Sequence, residues 1–420
     1  MLSSRGKKSA GTFDIPWKYM PAPTYHKEKA LGGLISFALA EHGPARDDIA
    51  DYINNNVKFT TNSVCYGSMS TDKHRLPAAA AAHINKYFSP LQQVTPENIV
   101  RASGCSAAGN MLSYALTEPG DGVLVSRPVY GRFELDYGLQ GDAEVVYADT
   151  ETYEAFTPDS IAKYEEALKE SEARGVKIRA LLLVNPHNPV GRCYPKETLI
   201  QILKFCNKHQ IHLVSDEIYA LCVFDSGDPD AHPFVSVLSL ATPELIDQDL
   251  VHVLYGFSKD FASGGLHLGF VVTHNTELRR ALLALSRFHY PSSAVDTIGI
   301  AILEDEEFIT KYTEKSRADL AFSYRIATSI LDQEGIKYIR GVNAGFFLYI
   351  DLSPYLPTNE SLGSREREYA IAKKLLDNGL FLHPGEEHCK DAGWFRLVYS
   401  HSEDVLREGL RRLLKTIKQQ

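Results

Sequence analysis

Closely spaced cysteine pairs are absent from this sequence. Cys65, Cys105, Cys193, Cys206, Cys222 and Cys389 are scattered, with no C-x-x-C among them. That excludes a zinc ribbon, gives no disulfide framework, and points to a reducing compartment. Long apolar runs are missing too: none reaches the roughly 18 residues of a membrane span. The opening MLSSRGKKSAGTFDIPWKYM has no apolar core of the secretory kind, so a cytoplasmic location is expected. Nor is there an excess of positive charge. Lys and Arg number 44 against 53 Asp and Glu, a net charge of −9, and the short RGKK cluster reads as a solvated tail. Nucleic acid and anionic membranes are therefore not expected partners. No repeat or low-complexity tract stands out. What is present is bulk: 420 residues, 44% hydrophobic, enough for a large core divided between two domains.

Short apolar runs alternate with helical patterns. Strands are expected at 122–128, 143–149, 179–186, 211–217, 251–258 and 268–274, and helices at 160–173 and 196–209. The runs are almost continuous Val, Leu and Ile, as in strands buried on both faces of a mostly parallel sheet. Strand–helix–strand at this spacing means an α/β fold. The pattern then changes: 301–333 reads as one long helix, followed by strand candidates at 344–352, 378–385 and 393–400. The chain closes on an amphipathic helix, with Ser402 at its N-cap and a stripe of Leu406, Leu410, Leu413 and Ile417. This divides the chain into a large domain at 46–300 and a smaller α+β domain at 301–420. Residues 1–45 form an arm packed on the smaller domain.

Three successive strands end in chemistry. The first ends in VNPHNPVG, where Asn185 and Asn188 offer amides at the strand edge that open α/β sheets use for ligands. The next ends in VSDEIY, with Asp216 at the same edge. A carboxylate there needs a partner, which a protonated ring nitrogen on a cofactor would supply. Tyr219, three residues on, shares a face with it if a helix follows. The third ends in GFSKD, and Lys259 there would have its amine desolvated and so nucleophilic toward an aldehyde. Alone, Asp216 would read as a helix cap and Lys259 as a surface lysine; together they mark one crevice. Upstream, ASGCSAAGNML opens a helix whose free N–H groups suit a phosphate.

With these motifs the chain resembles the fold-type I, pyridoxal 5′-phosphate (PLP) dependent enzymes of the class I/II aminotransferase superfamily. Within them it resembles the 1-aminocyclopropane-1-carboxylate (ACC) synthase-like branch, especially its fungal members. NPHNPVG, SDEIY and SKD carry the resemblance, and PGEEHCKDAGWFRL (384–397) points to that branch. It implies the PLP-dependent transferase fold type I, with a mostly parallel seven-stranded sheet in the large domain and a homodimer with shared active sites. It also implies that Lys259 binds PLP as a Schiff base and shuttles the Cα proton. Asp216 would pair with the ring nitrogen, Asn188 and Tyr219 with the phenolic oxygen, and Tyr130 would stack on the ring. The amides of Ser106 and Ala107, with Ser258, would hold the phosphate, helped by Tyr66 from the other subunit. Arg396 would clamp the substrate α-carboxylate, and Glu41, in LAEH, would lie near the substrate.

Two positions depart from the family pattern. Gly256 stands where a serine is usual and His267 where an arginine is usual, both normally phosphate ligands. An arginine keeps its charge at every pH, whereas a free histidine loses its own near neutrality. The expected reaction is a lyase reaction on an amino acid or amino acid conjugate: β- or α,γ-elimination, including the C–S cleavage of secondary metabolism found in that fungal branch. An aminotransferase using a 2-oxo acid is the alternative. A catalytically impaired protein that keeps the fold is a third reading, resting on Gly256 and His267 alone.

Overall fold

A computed structural model describes residues 1–15, 17, 21–358, 361–388 and 391–418. Cys389 lies outside the described residues, while Cys65, Cys105, Cys193, Cys206 and Cys222 are free thiols.

Among the described residues, eleven strands follow in chain order: β1 (Ile35–Ser36), β2 (Ile99–Ala102), β3 (Gly122–Ser126), β4 (Glu144–Ala148), β5 (Ile178–Val184), β6 (His212–Asp216), β7 (Val251–Gly256), β8 (Gly269–Thr273), β9 (Phe347–Asp351), β10 (Leu380–Phe381) and β11 (Trp394–Val398). Seven of them form one sheet in the order β2-β8-β7-β6-β5-β3-β4. The stretch from β7 to β4 is parallel; β8 runs antiparallel to both β7 and β2. Successive residues of β5 feed two separate cores: Leu181 and Leu183 join one, Ala180, Leu182 and Val184 the other. Burial on both faces is why these strands lack polar alternation. The short β2 gave no strong pattern, since Arg101 interrupts its four residues and pairs with Asp296.

A third core joins β9 and β11 to the helices Glu306–Gln333, Ser364–Asp377 and Glu403–Ile417. It also takes in Ile35, Phe37 and Ala40, and β1 pairs with β10. The first helix, Ser4–Gly11, ties elsewhere: the Lys8 ammonium pairs with Asp142 and donates to Gly138 O. The long helix expected over 301–333 is two helices. Ser293–Glu304 ends at Asp305, whose carboxylate accepts the Phe308 N–H at 2.9 Å and caps Glu306–Gln333. The stretch 378–385 is strand only at Leu380–Phe381. Ser402 is the N-cap of the last helix, but its hydroxyl makes no capping bond; Leu406, Leu410, Leu413 and Ile417 are all buried. No helix among the described residues is long and apolar enough to cross a membrane.

Candidate active site

The sheet order puts β5, β6 and β7 side by side. Parallel register pairs Val184 with Asp216 and Asp216 with Leu254. The loops leaving these three strands therefore emerge at one edge, and Asn188, Asp216 and Lys259 line one cavity of about 540 Å³ there. Glu41, Ser106, Tyr130, Tyr219, Ser258, His267 and Arg396 line it too. Among the described residues, this chain's Tyr66 and Ala107 do not line that cavity. Tyr66 is exposed on the surface. Ala107 lies in the first turn of the helix Gly104–Leu116, one residue beyond Ser106.

The electrostatics follow from enclosure. Lys259 reaches Ala40 O at 2.7 Å. Burial, then the nearby Arg396 charge, lowers its amine to about 8, so near neutrality it is far closer to its nucleophilic form than a surface lysine. Burial also raises Asp216 to about 6. Its Oδ1 accepts the Ile218 N–H at 3.2 Å, yet among the described residues no cation is bonded to it. A turn, not a helix, follows β6, with Cys222 N–H donating to Tyr219 O at 3.0 Å. Tyr219 reaches the cavity through that turn, edge-on to Phe346 and Phe347. Arg396, on β11, is buried and donates to Asn188 Oδ1 at 2.9 Å and to Ala38 O at 2.5 Å. Residues 38–40 thus supply acceptors to both Lys259 and Arg396. Glu41 pairs with Arg46 at 3.0 Å.

Two expectations need correction. Asn185 is not a cavity residue: it is fully buried, donates to Val235 O and accepts the Tyr194 N–H. It holds the loop that presents Asn188. Gly256 is not simply a lost serine. A Cβ there would meet Leu268 O at 2.7 Å, and Cys105 Sγ stands 3.4 Å from that point. Backbone and thiol already fill the space. A Gly256→Ser variant is therefore expected to lose about 2 kcal/mol of stability and to hold PLP no better. Denaturant unfolding and cofactor retention check this; a stable variant with tighter PLP binding contradicts it.

The donor set fits PLP. Ser103, at the start of the helix Gly104–Leu116, does not cap it: its hydroxyl donates to Tyr290 O at 3.1 Å. The first-turn N–H groups beside Ser106 thus remain open for a phosphate. Asp216 lines the cavity, bonded to the Ile218 N–H and within reach of the Lys259 charge, and would pair with a protonated ring nitrogen there. Sequence reasoning missed Cys105, Arg132 and His383, which also line the cavity. Arg132 lies two residues from Tyr130, and that proximity was the available signal.

The family model for aminotransferases of class I and II matches residues 69–413. The chain belongs to the class I and II aminotransferase family. It is a PLP-dependent enzyme with the fold-type I architecture. It is 30% identical over 401 residues to 1-aminocyclopropane-1-carboxylate synthase 2 of Solanum lycopersicum, covering 92% of this chain and 80% of that protein. It is 33% identical over 431 residues to the ACC synthase-like protein 1 of Bos taurus, covering 100% and 84%. It is also 33% identical over 333 residues to the probable aminotransferase tcpI of Claviceps purpurea (strain 20.1), covering 79% and 76%. Among solved structures, an aspartate aminotransferase of Thermus thermophilus with maleate superposes with a TM-score of 0.73 at 22% identity, covering 99% and 97%. That likeness shows the fold.

Proposed function

We propose that this aminotransferase-family enzyme is an ACC synthase-like lyase, acting on an amino acid by β- or α,γ-elimination with a carbon–sulfur bond the one broken. The observation that carries the PLP-site assignments is the Lys259 amine, lowered to about 8 in a cavity that also holds Asp216 and a buried Arg396. When bound, PLP supplies an electron-withdrawing ring that makes the substrate Cα–H acidic. Lys259 would hold PLP covalently and, once the substrate's amino group has displaced it, its freed amine would move the proton at Cα. Asp216 pairs with the ring nitrogen, and Asn188 and Tyr219 with the phenolic oxygen. Tyr130 packs on the ring. The amides of Ser106 and Ala107, with Ser258 and His267, hold the phosphate. Arg396 and Asn188 bind the substrate α-carboxylate, and Glu41 lies beside the substrate.

The lyase reading draws support from relatives named as ACC synthases and ACC synthase-like proteins, matched over most of their length. The fungal relative named a probable aminotransferase favours a second reading, transfer of the amino group to a 2-oxo acid. Incubation with one amino acid and no oxo acid separates them. Ammonia and a 2-oxo acid released over many turnovers exclude the aminotransferase. Conversion of one equivalent of cofactor to its pyridoxamine form, and nothing more, excludes the lyase.

The same reading takes the enzyme as a homodimer. Phe59, Val64, Tyr66, Met69 and Phe288 are all exposed. Ser293 Oγ donates to Cys65 O, and Thr297 Oγ1 to Ser63 Oγ, which brings the two segments together. Apolar surface of this kind suits a second copy, from which Tyr66 would reach the phosphate. It also assigns 46–300 to a PLP-holding domain and 301–420 to a smaller one. The core shared by Ile35, Phe37 and Ala40 with β9 and β11 supports packing of that end of the 1–45 arm there, whereas Lys8 ties its first helix to Gly138 and Asp142 of the larger domain. A His267→Arg variant is expected to hold PLP about tenfold more tightly at basic pH, since arginine never loses its charge. Dialysis from mildly acidic to basic pH checks this; equal retention throughout counts against it.

A further inference from the structure

The helix that carries Lys259 is only four residues long, Phe257–Asp260. One turn cannot hold itself, because nucleation is unfavourable and only tertiary bonds offset it. Asp260, next to Lys259 in the chain and 4% exposed, supplies such bonds. Its Oδ2 accepts the Leu221 N–H at 2.9 Å and its Oδ1 accepts the Cys222 thiol at 3.0 Å. Tyr255 hydrogen-bonds the same carboxylate, and its hydroxyl lies 3.0 Å from His83 Nε2. Arg317 backs the assembly: its charge acts on Asp260, and its Nε donates to Leu221 O at 2.9 Å.

Leu221 and Cys222 lie two and three residues after Tyr219, and Cys222 N–H closes the turn onto Tyr219 O. An enclosed carboxylate is costly unless donors meet it. Here donors converge from two segments, the end of β7 and the turn after β6. They satisfy Asp260 together in one relative placement of those segments. That placement also sets Lys259 Nζ 5.9 Å from the centre of the Tyr219 ring.

We propose that Asp260 is a positioning residue, which locks the Lys259 amine into its enclosed slot beside Tyr219 by bonding the Leu221–Cys222 turn. Enclosure is the main cause of the lowered Lys259 amine. A loosened helix would return the amine to water and to ordinary lysine behaviour. The inference rests on Lys259 being the amine that binds PLP.

The test uses the full-length enzyme, stripped of PLP and reloaded, with Asp260→Asn, Cys222→Ser and Cys222→Ala variants. The readouts are the pH dependence of the rate at which the yellow, borohydride-reducible link to PLP forms, and kcat and KM separately. In Asp260→Asn an amide NH₂ confronts existing donors. Its pH midpoint is expected to rise by about one unit or more and its kcat to fall at least about tenfold, with KM little changed. Cys222→Ser keeps a donor and should match the parent, while Cys222→Ala should fall between. An Asp260→Asn enzyme with the parental midpoint and kcat overturns the proposal. If that variant does not fold, parental values in Cys222→Ala overturn it. Peptide mapping of the borohydride-treated parent separates the two readings: a tag on another lysine refutes the Lys259 assignment itself.

Discussion

A Lys259→Ala variant is expected to lose the yellow, borohydride-reducible link to PLP and about 10⁴-fold of its turnover. The magnitude follows from what the amine does. It is enclosed, bonded to Ala40 O, and lowered to about 8, so it meets the ordinary conditions for both covalent binding and proton transfer near neutrality. Four decades in rate correspond to about 5.5 kcal/mol, more than any single surface contact contributes. Alanine leaves Asp216, Tyr219 and Arg396 in place, so the fold should persist, and an unfolding curve checks that. A small added amine should recover part of the turnover by standing in for the missing base. Unchanged absorbance and unchanged activity would sink the mechanism.

The second large effect is expected at Arg396. Its guanidinium donates to Asn188 Oδ1 and Ala38 O from a buried site, and we propose that it also receives the substrate carboxylate. Charged, two-pronged hydrogen bonds contribute about 3–4 kcal/mol when enclosed. Arg396→Leu should therefore lower kcat/KM for an amino acid about 10²–10³-fold. Arg396→Lys keeps the charge without the fork and should fall between. The informative comparison is an amine that lacks the carboxylate. The parent enzyme should strongly prefer the amino acid, whereas Arg396→Leu should barely distinguish the two. Persistent discrimination in that variant would show that another group reads the carboxylate.

Much of this was readable before any coordinates. The parallel core was visible because strands buried on both faces are apolar in continuous runs, as β5 is from Ala180 to Val184. Asn188, Asp216 and Lys259 were found because each sits at or just past the end of such a strand, where local spacing alone places a side chain at the sheet edge. The helices 160–173 and 196–209 were read with their boundaries intact, since a period of 3.6 is also local. The strand β2 was too short to declare itself. The break at Asp305 was hidden because helices abut on both sides of it, so no loop marks the change.

By itself, then, the sequence determined the α/β class, the three chemical strand ends and the departures at Gly256 and His267. These depend on neighbours a few residues apart. Only the tertiary structure decided what meets across the cavity. Arg396 finds Asn188 208 residues away, and Lys259 finds the Ala40 carbonyl 219 residues away. It also decided that Asn185 is a strut, that Cys105 and the Leu268 carbonyl fill the space beside Gly256, and that Asp260 ties down the lysine helix. Which backbone groups and buried donors converge on a point is set by how strands and helices pack, and no pattern along the chain encodes that directly.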